Sequence, residues 1–296
     1  MIHQVDTSRR FAMQTVAVLG TGGAGSAMAR RLLELKFRVH AWNRTESRAR
    51  PLEDDGALVF PTAAEAVRSA GVVIVTVYDA DAVLDVLGQI AGAVEPGAVV
   101  LQSATVGPVI GEIAETATRL GVTIIDAPFY GNPGPARRGE LTLMVAGAPE
   151  HKKAVTPVLE ALASNIVDVA DQPGPASLLK LTCNAWLLGT NAMAVQAAVL
   201  AESFGLDPEL FLRAVSGSKA DSEYLHYRAD HLTRKTDEVL SPVRAAIKDL
   251  GHIRSAAASA GASDILLAPL QEIYDRAVEA GLGDQDSTAI RAVFAR

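Results

Sequence analysis

The chain has 296 residues, a formal net charge of -7, 49% hydrophobic residues and 21% charged ones. That balance allows one large or two modest domains with a sizeable core, and it excludes a disordered chain or a basic nucleic-acid surface. A single cysteine, Cys183, excludes a disulfide within the chain and fits a reducing cytoplasm.

Residues 1–13 are polar with scattered charge and lack the apolar segment of a secretory leader. The run Thr15 to Leu19 then reads as a strand, Gly20-Thr21-Gly22-Gly23-Ala24-Gly25 as a tight turn, and Ser26 to Leu35 as a helix. A bare G-x-G-x-x-G is weak evidence, because a purely structural turn also uses glycine. Strand before and helix after favour a dinucleotide site. The first glycine permits the turn, the second lets backbone approach a pyrophosphate, and the third lets helix pack on strand. The helix N-terminus offers N–H groups and a positive dipole end. Gly20, Thr21, Gly22, Gly23 and Ala24 are the candidate phosphate contacts.

A second strand, Phe37 to Trp42, ends in Asn43-Arg44-Thr45. An NAD site places Asp or Glu near here for the ribose hydroxyls. This chain offers a guanidinium, which pairs with a 2′-phosphate in a bidentate fork. Asn43 and Thr45 would add hydrogen bonds. The alternative is a solvated loop arginine beside a helix-capping threonine. The missing carboxylate favours NADP(H).

From 14 to about 170, β-branched runs (72–77, 98–101, 122–125, 141–145, 166–169) alternate with helical patterns such as 80–90 and 109–120. Alternation of this kind predicts an α/β fold: a doubly wound, mainly parallel, Rossmann-type sheet covered on both faces. Val77, which ends one of these runs, and Thr105, which follows another, join the candidate cofactor contacts. Asp171-Gln-Pro-Gly-Pro175 marks a boundary, so the predicted domains are 14–172 and 173–296. Beyond it the chain reads as helices only: a long one over 176–204, then about 221–236, 242–260 and 265–280, with Asp207-Pro208 starting another. The long helix joins the domains and is apolar on nearly every side, so it is expected to be buried by the other domain and a second subunit, in a homodimer. Lys180, Asn184, Asn191 and Gln196 interrupt it and argue against a membrane span. The cleft between the domains is where substrate is expected to meet the nicotinamide.

Hydride transfer to a carbonyl needs a proton donor at its oxygen. Lys180 lies in the apolar run Ser177-Leu-Leu-Lys-Leu, with Asn184 one turn on along the same face. A buried lysine is costly without a partner or a purpose. The alternative is a lysine snorkelling from the helix end to solvent. The six histidines show no metal-ligand spacing, so no metal is assigned. Cys183 is expected to be an inert buried thiol, and Trp186 to belong to the core or a subunit interface. Tyr224, His226 and Tyr227 share a helix that either faces the cleft or simply packs.

Four segments in order resemble the β-hydroxyacid dehydrogenase family, which includes 3-hydroxyisobutyrate dehydrogenases and is related to 6-phosphogluconate dehydrogenases. The glycine turn through Met28 resembles its cofactor motif, with Ala24 in place of the usual Met. Asp126-Ala-Pro128 resembles the opening of D-A-P-V-S-G-G. Gly174, Lys180 and Asn184 resemble G-x-G-x-x-x-K-x-x-x-N, with Ala176 for the second glycine, and Lys248-Asp249-Leu250 resembles K-D-L. The resemblance implies that Lys180 is the general acid in reduction and base in oxidation. It further implies that Asn184 orients substrate or lysine, and that Lys248 lies near the nicotinamide ribose or the substrate. Trp-Asn-Arg-Thr is similar to the NADPH-using glyoxylate and succinic semialdehyde reductase branch.

The departures concern substrate. Where the family has Ser-Gly-Gly, holding a carboxylate, the chain reads Tyr130-Gly131-Asn132, and its Ser-Thr pair is Ala104-Thr105. Tyr130, Gly131 and Asn132, with Asn184, remain the candidate substrate contacts, for something larger, less charged or aromatic. Arg137 and Arg138 either bind an anion or are solvated loop charges. Imine reductases share the architecture but usually lack the lysine, and an ammonium beside an iminium costs Coulomb energy. An NADP(H)-dependent reductase of a small-molecule carbonyl, or the reverse oxidation, of the β-hydroxyacid or semialdehyde class or a bulkier analogue, is therefore expected. Imine reduction and a non-catalytic NADP-binding sensor are the alternatives.

Overall fold

The computed structural model describes residues 14–294. Segment 1–13, on which the leader expectation rests, lies outside them. The chain divides into two compact units, one ending at Lys180 and the other beginning at Leu181.

The first unit is built on nine strands: β1 Thr15–Leu19, β2 Arg38–Trp42, β3 Leu58–Val59, β4 Val72–Val75, β5 Val99–Gln102, β6 Thr123–Asp126, β7 Phe129–Tyr130, β8 Leu141–Ala146 and β9 Ala163–Ala170. They form one sheet in the order β3-β2-β1-β4-β5-β6-β8-β7, with β9 also on β8. Neighbours from β3 to β6 are parallel. The order reverses between β1 and β4, and the crevice beyond the carboxyl ends of such strands is where doubly wound folds bind dinucleotides.

Strand periodicity of two decides the layers. Val16 and Val18 face one core with Met28 and Leu32, while Ala17 and Leu19 face the other with Leu87 and Ile90. Helices thus cover both faces. The run at 141–145 departs from parallel alternation. β8 pairs antiparallel with β6 and β7 and parallel with β9. Residues 131–140 hold only the short helix Pro133–Arg138, ended by Gly139 in the left-handed region, and so turn the chain straight back. A parallel return needs a longer crossover.

The first helix, Gly23–Glu34, starts inside the glycine motif, ahead of the predicted Ser26, because Ser26 N–H already donates to Gly22 O at 2.9 Å. A Cβ on Gly25 would lie 1.9 Å from Gly20 O, so this glycine is what lets helix and strand approach. Strand β4 ends two residues before Val77.

The second unit is helical. Its long helix, Pro175–Ser203, crosses the boundary, and it is followed by Pro208–Val215, Val243–Ser259 and Leu267–Glu279. The predicted helix over 221–236 is instead two pieces, Glu223–Tyr227 and Ala229–Leu232. They part at Arg228, whose buried guanidinium is ion-paired with Asp286. Leu188, Val195, Val199, Leu250, Ile253 and Tyr274 belong to the core. Asn191 is knotted into it, donating to Tyr274 Oη at 3.0 Å and accepting from Tyr224 Oη at 2.9 Å. Tyr224 is therefore a packing residue, and the exposed His226 pairs with Asp221 at 2.8 Å.

Within one chain the long helix is not covered on every side. Trp186 is 76% exposed and Met193 66%, with Leu200 also exposed on the same stripe. Trp186 is thus not core, and Cys183 is half-buried. Among the described residues no helix is long and apolar enough to cross a membrane.

Candidate functional site

The cofactor candidates follow the carboxyl ends of adjacent strands: Gly20 to Ala24 after β1, Asn43 to Thr45 after β2, Val77 after β4 and Thr105 after β5. Gly22 is exposed, and a Cβ there would meet nothing within 4 Å, so its backbone faces open space. The helix behind it has no side-chain cap and no acidic residue in its first turn. Its N–H groups and dipole thus point at an anion site. Thr21 Oγ1 is buried without a hydrogen-bond partner among the described residues. An orphaned hydroxyl beside uncapped amides fits a phosphate-bearing group.

Asn43 takes a role that spacing did not show. Its Oδ1 accepts from Thr21 N–H at 3.1 Å, and its Nδ2 donates to Thr45 O at 3.0 Å. The side chain braces the glycine turn against the end of β2. Arg44 is exposed and makes no ion pair among the described residues. The nearby Glu46 is already paired with Arg50 at 2.7 Å.

The proton-handling candidate is held at the same edge. Asp126, the last residue of β6, is fully buried and caps the start of the long helix. Its Oδ2 accepts from Gly174 N at 3.1 Å and Ser177 N at 2.8 Å, and its Oδ1 accepts from Ser177 Oγ at 2.7 Å. Lys180, one turn further, is 9% exposed. Its Nζ lies 5.0 Å from the centre of the Tyr130 ring, within cation–π range. Tyr130, Asp126 and Lys180 therefore cluster in one unit.

Other substrate candidates are already committed. Asn132 Oδ1 accepts from Gly134 N at 3.0 Å and caps the Pro133–Arg138 helix. Arg137 and Arg138 sit in that helix rather than a loop, the first paired with Glu34 and the second with Glu140 at 2.6 Å. Gly131 is exposed with φ +136, and a side chain there would strike Leu141.

In the helical unit Asn184 Nδ2 donates to Asp249 Oδ2 at 2.7 Å. Asn184 Oδ1 and Asp249 Oδ1 are buried without hydrogen-bond partners among the described residues. Lys248 Nζ is 3.3 Å from Asp249 Oδ1, close enough for an ion pair but off line for a hydrogen bond. Asp249 and the Asp126–Ser177 pair were not singled out as site residues. Asp126 and Ser177 are 51 residues apart and Asn184 and Asp249 are 65 apart, so no local pattern joins them.

Burial pushes the Asp126 carboxyl up from the usual 3.8 to about 6, against the hydrogen bonds from Ser177 and Gly174. The folded chain then holds this proton to higher pH than the unfolded chain. Its contribution to stability is greatest below about pH 4, falls as pH rises towards 6 and is flat above. A shift of that size corresponds to about 3 kcal/mol. Asp126→Asn removes the titration. Urea unfolding is expected to show the wild type losing about 2 kcal/mol relative to the variant between pH 4 and pH 6.5. A difference that stays level would refute the shift.

Residues 15–170 match the family model for the NAD binding domain of 6-phosphogluconate dehydrogenase. Residues 174–294 match that for NAD-binding of NADP-dependent 3-hydroxyisobutyrate dehydrogenase. Over 286 residues the chain is 29% identical to an L-threonate dehydrogenase of Cupriavidus necator, covering 95% of this chain and 96% of that one. It is also 29% identical to the 3-sulfolactaldehyde reductase of Escherichia coli, covering 94% and 95%. A crystal structure of a 3-hydroxyisobutyrate dehydrogenase from Salmonella typhimurium matches with a TM-score of 0.87 at 26% identity, covering 95% of this chain and 99% of that one. With a glycine-turn cradle, two matched domain models and full-length relatives that are dehydrogenases and reductases, the chain belongs to the β-hydroxyacid dehydrogenase family, NAD(P)-dependent oxidoreductases that act on hydroxyl or carbonyl groups.

Proposed function

We propose that this enzyme uses NADP(H) to interconvert a small-molecule carbonyl compound and its alcohol, with Lys180 as the proton-handling group. The observation that carries the reading is a buried ammonium, seated against the Tyr130 ring in the unit that holds the glycine turn. When bound, the dinucleotide supplies a hydride to a carbonyl carbon or takes one from a carbinol. In reduction, Lys180 gives a proton from Nζ to the carbonyl oxygen as the C=O π bond breaks, and recovers one from solvent. In oxidation it takes the hydroxyl proton. An ammonium also stabilises the developing alkoxide, whereas it repels an iminium, which weighs against imine substrates.

Gly20, Thr21, Gly22, Gly23 and Ala24 would cradle the pyrophosphate, with Val77 and Thr105 flanking the cofactor. The unpaired Arg44 would hold the 2′-phosphate and Thr45 would add a hydroxyl. Asn43 supports the site indirectly, by bracing the turn. Asn184 and Lys248 remain the candidate substrate or ribose contacts of the helical unit. The lone Cys183 suits a reducing cytoplasm. The stripe of Trp186, Met193 and Leu200, spaced seven residues apart, suits a homodimer that pairs the long helix with a second copy.

Lys180→Ala is expected to lower kcat by about 10²- to 10⁴-fold while NADPH affinity stays near wild type. Unchanged turnover would remove Lys180 from the chemistry. Arg44→Ala is expected to raise KM for NADPH by about ten- to a hundredfold, as loss of a charged hydrogen-bond pair does, with little change for NADH. Equal effects on both cofactors would reject the 2′-phosphate contact. Light scattering should give the mass of a dimer for wild type and of a monomer for Trp186→Glu with Met193→Glu. A monomeric wild type would reject the pairing.

A further inference from the structure

Set against the family motif that it resembles, the segment after β6 carries Tyr130 for a serine and Asn132 for a glycine. Tyr130 replaces a serine hydroxyl with a ring whose face seats the Lys180 ammonium at 5.0 Å. Asn132 replaces a glycine and spends its carbonyl oxygen on Gly134 N–H at 3.0 Å. The next residue, Pro133, has no N–H to give. Ala136 N–H is bonded back to Asn132 O at 3.1 Å. Arg137 and Arg138, the two guanidiniums of the following helix, are matched by Glu34 and Glu140.

An entering carboxylate would lose its water and find the Gly134 and Ala136 amides and both guanidiniums already bonded, which is costly for a charge. It would also draw the Lys180 ammonium onto itself and away from the carbonyl oxygen. An uncharged substituent meets neither penalty, and Tyr130 offers it an aromatic surface at little entropic cost.

We propose that Tyr130 sets the substrate class: uncharged aldehydes and ketones with an apolar or aromatic group beside the carbonyl, in place of small carboxylates. This rests on the reading of Lys180 as the proton donor. Each reduction then consumes one hydride from NADPH and one proton from Lys180, and yields a neutral alcohol and NADP⁺. Phenylalanine should serve as well as tyrosine, because the ring face does the work. Serine should restore a carboxylate-binding hydroxyl and remove the seat.

The test compares kcat/KM for succinic semialdehyde and its methyl ester, and for glyoxylate and benzaldehyde, with NADPH. Wild type and Tyr130→Phe are expected to favour the neutral member of each pair by about tenfold or more, the discrimination a few misplaced polar contacts produce. Tyr130→Ser should shift the ratio towards the carboxylate. A wild type that favours the carboxylates, or the same ranking in Tyr130→Ser, overturns the proposal. A parallel titration of NADP⁺-loaded protein with benzamide and benzoate, read by tryptophan fluorescence, does not need turnover. Tighter amide binding by wild type supports the Tyr130 assignment, and equal or tighter benzoate binding overturns it. If Lys180→Ala reduces the neutral substrates as fast as wild type, the proton-donor reading fails while the binding order still judges Tyr130.

Discussion

One buried carboxylate ties the chemistry to the fold. Asp126 ends β6 and holds two backbone N–H groups and the hydroxyl at the start of the long helix. A helix start buried without such partners would leave donors unsatisfied. The cap therefore fixes where the helix leaves the sheet, and Lys180 is carried one turn beyond it. The carboxyl is itself strained by burial, which raises its proton affinity. The fold tolerates that cost at the point where a side chain must be placed with accuracy.

The same sheet edge carries two kinds of site with different tolerances. The glycine turn is over-determined: Gly25 admits no side chain, Thr76 Oγ1 donates to Gly20 O at 2.7 Å, and Asn43 braces the turn from β2. What faces a ligand there is backbone, which any dinucleotide can use. The segment after β6 presents side chains instead, Tyr130 beside Lys180 and Asn132 at the start of a helix. Gly25 and Asn43 tie the glycine turn to the packing of the sheet, whereas Tyr130 ends β7 beside Thr142 and Asn132 caps the helix that follows.

Much of this was legible in the sequence. The β1 run, the glycine turn and the second strand announced a doubly wound sheet because strand and helix periods are local signals. The long helix fell at 175–203 against a predicted 176–204. The antiparallel β8 was not legible, since an apolar run does not state its direction. The break at Arg228 was hidden, since the partner of this residue, Asp286, is 58 residues away. Asp126 and Asp249 stood out only as motif positions, and their holds on Ser177 and Asn184 were hidden because those partners are tertiary. Asn132 has a local role that the motif did not suggest, since its Oδ1 caps the Pro133–Arg138 helix. The open stripe along the long helix could not be read from composition, because an apolar residue in sequence does not say what covers it.

The central claim is that the Lys180 ammonium moves a proton and does not merely fill a buried position. Chemical rescue separates these roles. Added to Lys180→Ala with NADPH and a neutral aldehyde, small alkylammonium salts should restore NADPH oxidation in proportion to their concentration, with a rate that follows the acidity of the amine and no response to equal sodium chloride. A variant that binds NADPH and folds as wild type, yet answers to no amine, would contradict the assignment.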